Sequence, residues 1–144
     1  MLVRYADDFV CTFRYREDAE RFYRTLPKRL GKFGLELSSE KTRLMRFSRF
    51  HPSGKRRISF LGFELNWGRD RHRRPRLHRR TAKKKLRQAV KEMGEWIKQF
   101  RHLPHKDFCT ALNRRLRGHY QYFGLIGNSR LVWLFYKEVI ECVY

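Results

Sequence analysis

Two adjacent carboxylates, Asp7 and Asp8, stand between two short runs of strand-forming residues, Leu2-Val3-Arg4-Tyr5 and Phe9-Val10-Cys11-Thr12-Phe13. Neighbouring like charges repel, so such a pair is costly unless its charge is used. A hairpin turn would hold both groups on a stiff backbone. Hard oxygen ligands placed that way suit Mg²⁺, which takes one or two carboxylates and fills its other positions with water and phosphate. Two such ions can stabilise the attacking and leaving oxygens of phosphoryl or nucleotidyl transfer. Taken alone, Asp-Asp at a turn more often marks an ordinary solvated hairpin.

The other chemistry-bearing residues are cations. The 144 residues carry 35 Lys or Arg against 14 Asp or Glu, a net charge of +21. Such an excess repels itself in a compact chain, so a polyanion is the natural partner, nucleic acid before an anionic membrane surface. Between Arg69 and Arg80 lie seven arginines, Arg69, Arg71, Arg73, Arg74, Arg76, Arg79 and Arg80. Lys83, Lys84, Lys85, Arg87 and Lys91 follow, then Arg114, Arg115 and Arg117. From Arg69 to Gly118 there are 18 basic residues and 4 acidic ones. In a neutral protein these would be a solvated face; at this excess they point to a nucleic-acid backbone. The planar fork of arginine suits phosphate, and phosphate contacts give affinity with little sequence information.

Several classes are disfavoured. No run of 18 apolar residues supports a membrane span. Met1-Leu2-Val3-Arg4 enters a strand-like pattern without a signal-peptide layout. Cys11, Cys109 and Cys142 are odd in number and far apart, which argues for a reducing, cytoplasmic setting. His102, His105 and Cys109 have helical spacing, but zinc sites draw paired ligands from two elements, so surface histidines flanking Pro104 are the simpler account.

The elements that must position these groups can be read from periodicity. After the hairpin, Ala19, Phe22, Tyr23, Leu26, Leu30 and Phe33 recur at helical steps, with Pro27 expected to kink or break the helix and Gly34 to end it. Strands are expected at 42–47 and 58–67, with an exposed turn over 49–57. Gly62, inside the second of these, suggests a close backbone approach by another chain or ligand. The segment 69–80 reads as a basic connector. Three amphipathic helices follow, with stripes Leu86-Val90-Met93-Ile97-Phe100, Phe108-Leu112-Leu116-Tyr120-Phe123 and Leu131-Phe135-Val139-Val143. Gly127-Asn128-Ser129 supplies a cap signal before the last. Short connections make these a small bundle. The expected fold class is α+β.

Tyr5-Ala6-Asp7-Asp8 resembles the catalytic signature of reverse transcriptases. Phe33-Gly34-Leu35-Glu36-Leu37-Ser38-Ser39-Glu40-Lys41-Thr42 resembles the next palm motif of the group II intron type, and Phe60-Leu61-Gly62-Phe63 the primer grip. Leu112-Asn113-Arg114-Arg115-Leu116-Arg117-Gly118, with Tyr122-Phe123, resembles the maturase-specific thumb. The four occur in the family's order across nearly the whole chain. Ser39 stands where the family often has proline, and His119 where it usually has tryptophan.

The resemblance implies a C-terminal half of a reverse-transcriptase palm over 1–68, a basic connector over 69–80 and a thumb over 81–144 truncated at its end. It implies RNA-directed DNA synthesis coupled to intron splicing, with Mg²⁺ held by Asp7 and supported by Asp8. Tyr5, Ala6 and Lys41 would serve the incoming nucleotide. Group II intron RNA and an RNA template–DNA primer duplex would be the partners, with no membrane. The fingers and an earlier metal-binding aspartate are not among these residues, and Glu36, Glu40, Glu64 and Asp70 do not match that motif. The chain alone is therefore expected not to polymerise. A non-catalytic RNA-binding maturase remnant is the competing reading, and a metal-dependent nuclease a more remote one.

Overall fold

The computed structural model describes all residues from Met1 to Tyr144. It is α+β, with four helices and two small antiparallel sheets. Two compact units emerge, Met1–Phe47 and Ser48–Tyr144.

In the first unit, β1 (Leu2–Tyr5) pairs with β2 (Asp8–Cys11) in the register Tyr5↔Asp8, leaving Ala6 and Asp7 as a two-residue loop. Ala6 takes φ +50°, as the mirror-image turns that match strand twist require of a first central residue. Helix α1 (Arg16–Gly31) follows. It does not break at Pro27, contrary to expectation; the ring removes only the one hydrogen bond to the Tyr23 carbonyl, and the apolar spacing continues on both sides. Gly34, at φ +70°, ends it as expected. Its N–H donates to the Gly31 carbonyl at 3.1 Å and that of Leu35 to the Leu30 carbonyl at 3.1 Å, the Schellman pattern. The expected strand over 42–47 is absent: this stretch has no ladder partner and lies outside regular structure. No residue of this unit is fully buried.

The second unit opens with β3 (Ile58–Phe60), β4 (Phe63–Arg69) and β5 (Pro75–Thr81), an antiparallel sheet in that order. The strand expected over 58–67 is thus two strands, broken at Leu61-Gly62. Both residues take positive φ, +50° and +75°, as a type I′ turn demands. The expected basic connector over 69–80 is mostly strand, because its residues complete the ladder from Phe63↔Thr81 to Arg69↔Pro75. Only the tip at 70–74 is a loop. There the Asp70 carboxylate accepts from the His72 and Arg74 N–H groups at 2.8 Å each.

Helices α2 (Lys83–Phe100), α3 (His105–Phe123) and α4 (Ser129–Val143) follow the expected stripes. Met93, Trp96, Ile97, Phe108, Leu112, Leu116, Phe135 and Val139 are buried together and make the core. Trp96 stacks on Phe100 and Phe108, with centroids 5.3 and 5.7 Å away. Val143 departs from its stripe and is exposed at the end of α4.

Asn128 corrects the cap expectation. It holds the N-cap position of α4, yet its side chain does not cap the helix. Its Oδ1 accepts from the Thr81 N–H at 2.9 Å, and its Nδ2 donates to Thr81 Oγ1 and the Phe123 carbonyl, both at 2.7 Å. A primary amide with one acceptor and two donors can clip the end of β5 to the α3–α4 loop, which a capping hydroxyl could not.

Candidate nucleic-acid interface

The two carboxylates occupy a hairpin tip. Asp7 is a central residue of the loop and Asp8 opens β2. Both are exposed, and neither forms an ion pair. Arg4 Nε donates to the Ala6 carbonyl at 2.8 Å, tightening the loop beside them. Tyr5 is exposed at the end of β1. Lys41 lies elsewhere in this unit, on a turn whose Thr42 donates through both N–H and Oγ1 to the Ser38 carbonyl at 2.9 and 2.7 Å. It makes no ion pair with Asp7 or Asp8. No group of three or more His, Cys, Asp or Glu is arranged to hold a metal ion. Asp7 and Asp8 are the residues that could hold one Mg²⁺, whose other positions would fall to water or phosphate.

In the second unit the structure brings two sequence motifs into one cluster. Phe60-Leu61-Gly62-Phe63 forms the β3–β4 turn. Phe63 packs on Tyr122 and Phe123, with ring centroids 5.7 and 5.2 Å away. The Tyr122 hydroxyl donates to the Leu61 carbonyl at 3.0 Å, and the Ala82 N–H to the Gly62 carbonyl at 2.9 Å. A Cβ on Gly62 would lie 3.6 Å from the Phe123 ring and 3.7 Å from Lys85 Cγ. The neighbour that approaches Gly62 is thus this chain's own α3, and turn geometry is the first demand on the glycine. Tyr122, singled out in the sequence only for its motif, is the residue whose hydroxyl locks the turn.

The basic residues divide by position. Arg71, Arg73 and Arg74 occupy the β4–β5 tip and Arg69 the strand end beside it, with Arg73 at φ +62°. Cross-strand pairing puts Arg76 and Arg80 on one face of the sheet and Arg79 on the other, beside Leu65 and Leu77. Lys83, Lys84, Lys85 and Arg87 crowd the start of α2, whose first turn holds no acidic residue. Cations there oppose the helix dipole by about 0.3–1 kcal/mol each at low salt, so helix stability does not explain them. Lys91 forms an exposed pair with Glu95 at 3.7 Å. Arg114 and Arg117 join Thr110, Asn113 and Gln121 on the exposed face of α3, whereas the Arg115 guanidinium covers Trp96 at 4.8 Å.

This unit holds 24 of the basic residues and 7 of the acidic ones. Across the whole chain only Arg16, Arg24, Arg57, Lys91 and Lys137 lie within ion-pair distance of a carboxylate. Most of the positive charge has no internal partner, and a polyanion is what would neutralise it.

Residues 1–65 match the family model of reverse transcriptases (RNA-dependent DNA polymerases). The matched residues include both the Asp7-Asp8 hairpin and the Leu61-Gly62 turn, and end within β4. No curated protein and no solved structure matches the chain. No helix is long and apolar enough to cross a membrane.

Sequence reasoning took Asn128 only as part of a cap signal and did not single out His78, whose imidazole sits over Gly68. For His78 a signal is present, since it alternates with Arg76 and Arg80 at the period of a strand; the density of arginine masks it.

Proposed function

We propose that this chain carries the catalytic hairpin and nucleic-acid grip of an RNA-directed DNA polymerase of the group II intron type, with a maturase role in intron splicing. The observation that carries the reading is the reverse-transcriptase match over residues 1–65, with Asp7 and Asp8 at the tip of an antiparallel hairpin. In this reading residues 1–68 act as palm, the basic hairpin 69–80 as the link, and 81–144 as thumb. Asp7 and Asp8 hold Mg²⁺, which when bound offsets charge developing on transferring phosphates. Tyr5, Ala6 and Lys41 face the nucleotide. The Leu61-Gly62 turn, held by Tyr122, positions the primer end. The arginines of the β4–β5 hairpin, the lysines of α2 and the arginines of α3 follow the phosphates of intron RNA or of a template–primer duplex.

The aspartate pair supplies ligands for one ion, and two-metal transfer needs more. That favours, as the second reading, an RNA-binding maturase function without polymerisation by this chain. One set of measurements addresses both. Mn²⁺ titrated in place of Mg²⁺ should broaden backbone resonances around Ala6–Phe9, and Asp7→Ala with Asp8→Ala should abolish this. Primer extension on a primed RNA template with Mg²⁺ should be absent from the 144-residue chain. Loss of the broadening in the double variant, without extension by the parent, fits the proposal. Unchanged broadening in that variant, or no broadening in the parent, removes the metal role. Extension that disappears in Asp7→Ala would require another carboxylate ligand and reject the second reading.

A further inference from the structure

Strand β5 presents a row of nitrogen bases on the polar face of its sheet. The register Glu64↔Arg80, Asn66↔His78 and Gly68↔Arg76 sets Arg76, His78 and Arg80 side by side, with Ser59 of β3 on the same face. Alternate residues of a strand are roughly 6.7 Å apart. That is close to the separation of successive phosphates along a nucleotide strand. The imidazole of His78 rests over Gly68, where any Cβ would collide with it. Gly68 thus gives the ring a seat against the backbone between two guanidinium groups. Arg76 and Arg80 are exposed, and His78 is half-buried.

The two acidic residues of β4 and its tip already have partners. Glu64, on β4, is held by Arg57 at 3.0 Å. Asp70, at the tip, accepts the His72 and Arg74 N–H groups. Burial first, then Arg80 and Arg76, keep His78 below the ordinary histidine range. Its charged form is therefore disfavoured in the free protein. Successive phosphodiesters laid along the row would offset the field of both arginines and supply acceptors, which favours the imidazolium with both its N–H groups donating.

We infer that this sheet face is a phosphate-binding row for an RNA strand, in which His78 takes up a proton from solvent as the phosphodiester binds. The inference rests on the RNA-binding reading above and adds its regulation by pH. Binding that takes up a proton tightens as pH falls. The gain reaches about tenfold if the bound ring's pKa rises by about one unit.

The test measures affinity of the full chain for a single-stranded RNA oligonucleotide at constant ionic strength, at pH 5.5 and pH 7.5, in the parent and in His78→Gln. The parent should bind several-fold more tightly at pH 5.5, and His78→Gln should lose most of that difference. The His78 ring protons of the parent, followed by NMR, should titrate at higher pH with RNA bound than without; this holds even if the variant misfolds. Inorganic phosphate replacing RNA should shift the ring titration less, because one ion cannot span the row; an equal shift would reduce the site to a simple phosphate pocket and overturn the strand assignment. RNA binding with the same pH dependence in His78→Gln, or a His78 titration unmoved by RNA, overturns the inference alone. Absence of RNA binding by the parent at either pH overturns the RNA reading and this inference with it.

Discussion

Asn128→Ala is the perturbation that most sharply tests how the sheet is joined to the helices. Asn128 is 1% exposed and its partner Thr81 2% exposed, so neither can turn to water without opening the structure. The substitution strips the Thr81 N–H of its acceptor at 2.9 Å, and Thr81 Oγ1 and the Phe123 carbonyl of donors at 2.7 Å. A hydroxyl can rotate towards another partner and the Phe123 carbonyl keeps the Leu125 N–H at 2.8 Å, but the Thr81 N–H has no such recourse. One buried group left unsatisfied costs about 1–3 kcal/mol, so the loss should be of that size. A domain of this size is stable by about 5–15 kcal/mol in all, so the variant would lose a large fraction. Trp67, Trp96 and Trp133 all lie in Ser48–Tyr144, so urea unfolding followed by tryptophan fluorescence reports on this unit alone. Thr81→Val should cost less, and the double variant less than the two singles together, with a coupling of about 1 kcal/mol or more. A loss below about 1 kcal/mol in Asn128→Ala, with additive behaviour in the double variant, would refute the clip.

Three further outcomes follow from the charges and the burial pattern. His119 is held below the ordinary histidine range by burial, its Nε2 is buried without a partner, and its ring stacks on Phe135 with centroids 3.6 Å apart. The unfolded chain therefore takes up a proton that the folded one refuses, so stability should fall as pH drops below about 6.5, and His119→Phe should flatten part of that slope in urea titrations; an unchanged slope would reject it. Amide hydrogen exchange should show weaker protection in Met1–Phe47, which has no fully buried residue, than in α2–α4; equal protection would contradict this. RNA affinity should fall about a thousandfold between about 50 and 200 mM salt if about six phosphates are contacted, and replacing Arg73, Arg74, Arg79 and Lys84 by alanine should flatten the slope by about one unit per lost contact; salt-insensitive binding would return these residues to a solvated face.

Helices α2, α3 and α4 are legible in the sequence because each buries one stripe, and Leu, Met, Phe and Trp recurring at three- and four-residue steps fit a helix face and no strand. The aspartate hairpin is legible for a similar reason, with β-formers on both sides of a polar pair. What escapes sequence reasoning are the places where a strand is recognised by its partner and not by its own residues. Pro75–Thr81 contains four charged or imidazole side chains and by itself reads as a connector; only the facing Phe63–Arg69 ladder makes it a strand. Residues 42–47 have the composition of a strand and lack such a partner. The Leu61-Gly62 turn is hidden because Leu61 is an unusual choice for positive φ. Its cost, about 1–2 kcal/mol, is offset by bonds from Tyr122 and Ala82 that are remote in sequence. Asn128 reads as a cap because capping is local, whereas its three bonds reach back to Thr81 and Phe123.

These same elements separate the two chemistries. The cationic hairpin tip, the row on β5 and the first turn of α2 grow from a unit with its own buried core, and the Leu61-Gly62 turn and the Asn128 clip fix them to it at two points. Phosphate contacts need little more than such a scaffold, since they read charge and spacing. Metal-assisted transfer asks for more, because carboxylates must be held within a fraction of an ångström of working geometry. Asp7 and Asp8 have a four-pair ladder behind them but no buried core in their own unit. On the proposed reading, RNA binding is the part of the function that needs only the packing of Ser48–Tyr144. On the same reading, catalysis by the hairpin would require a further ligand beside the aspartate pair and a stiffer Met1–Phe47 unit.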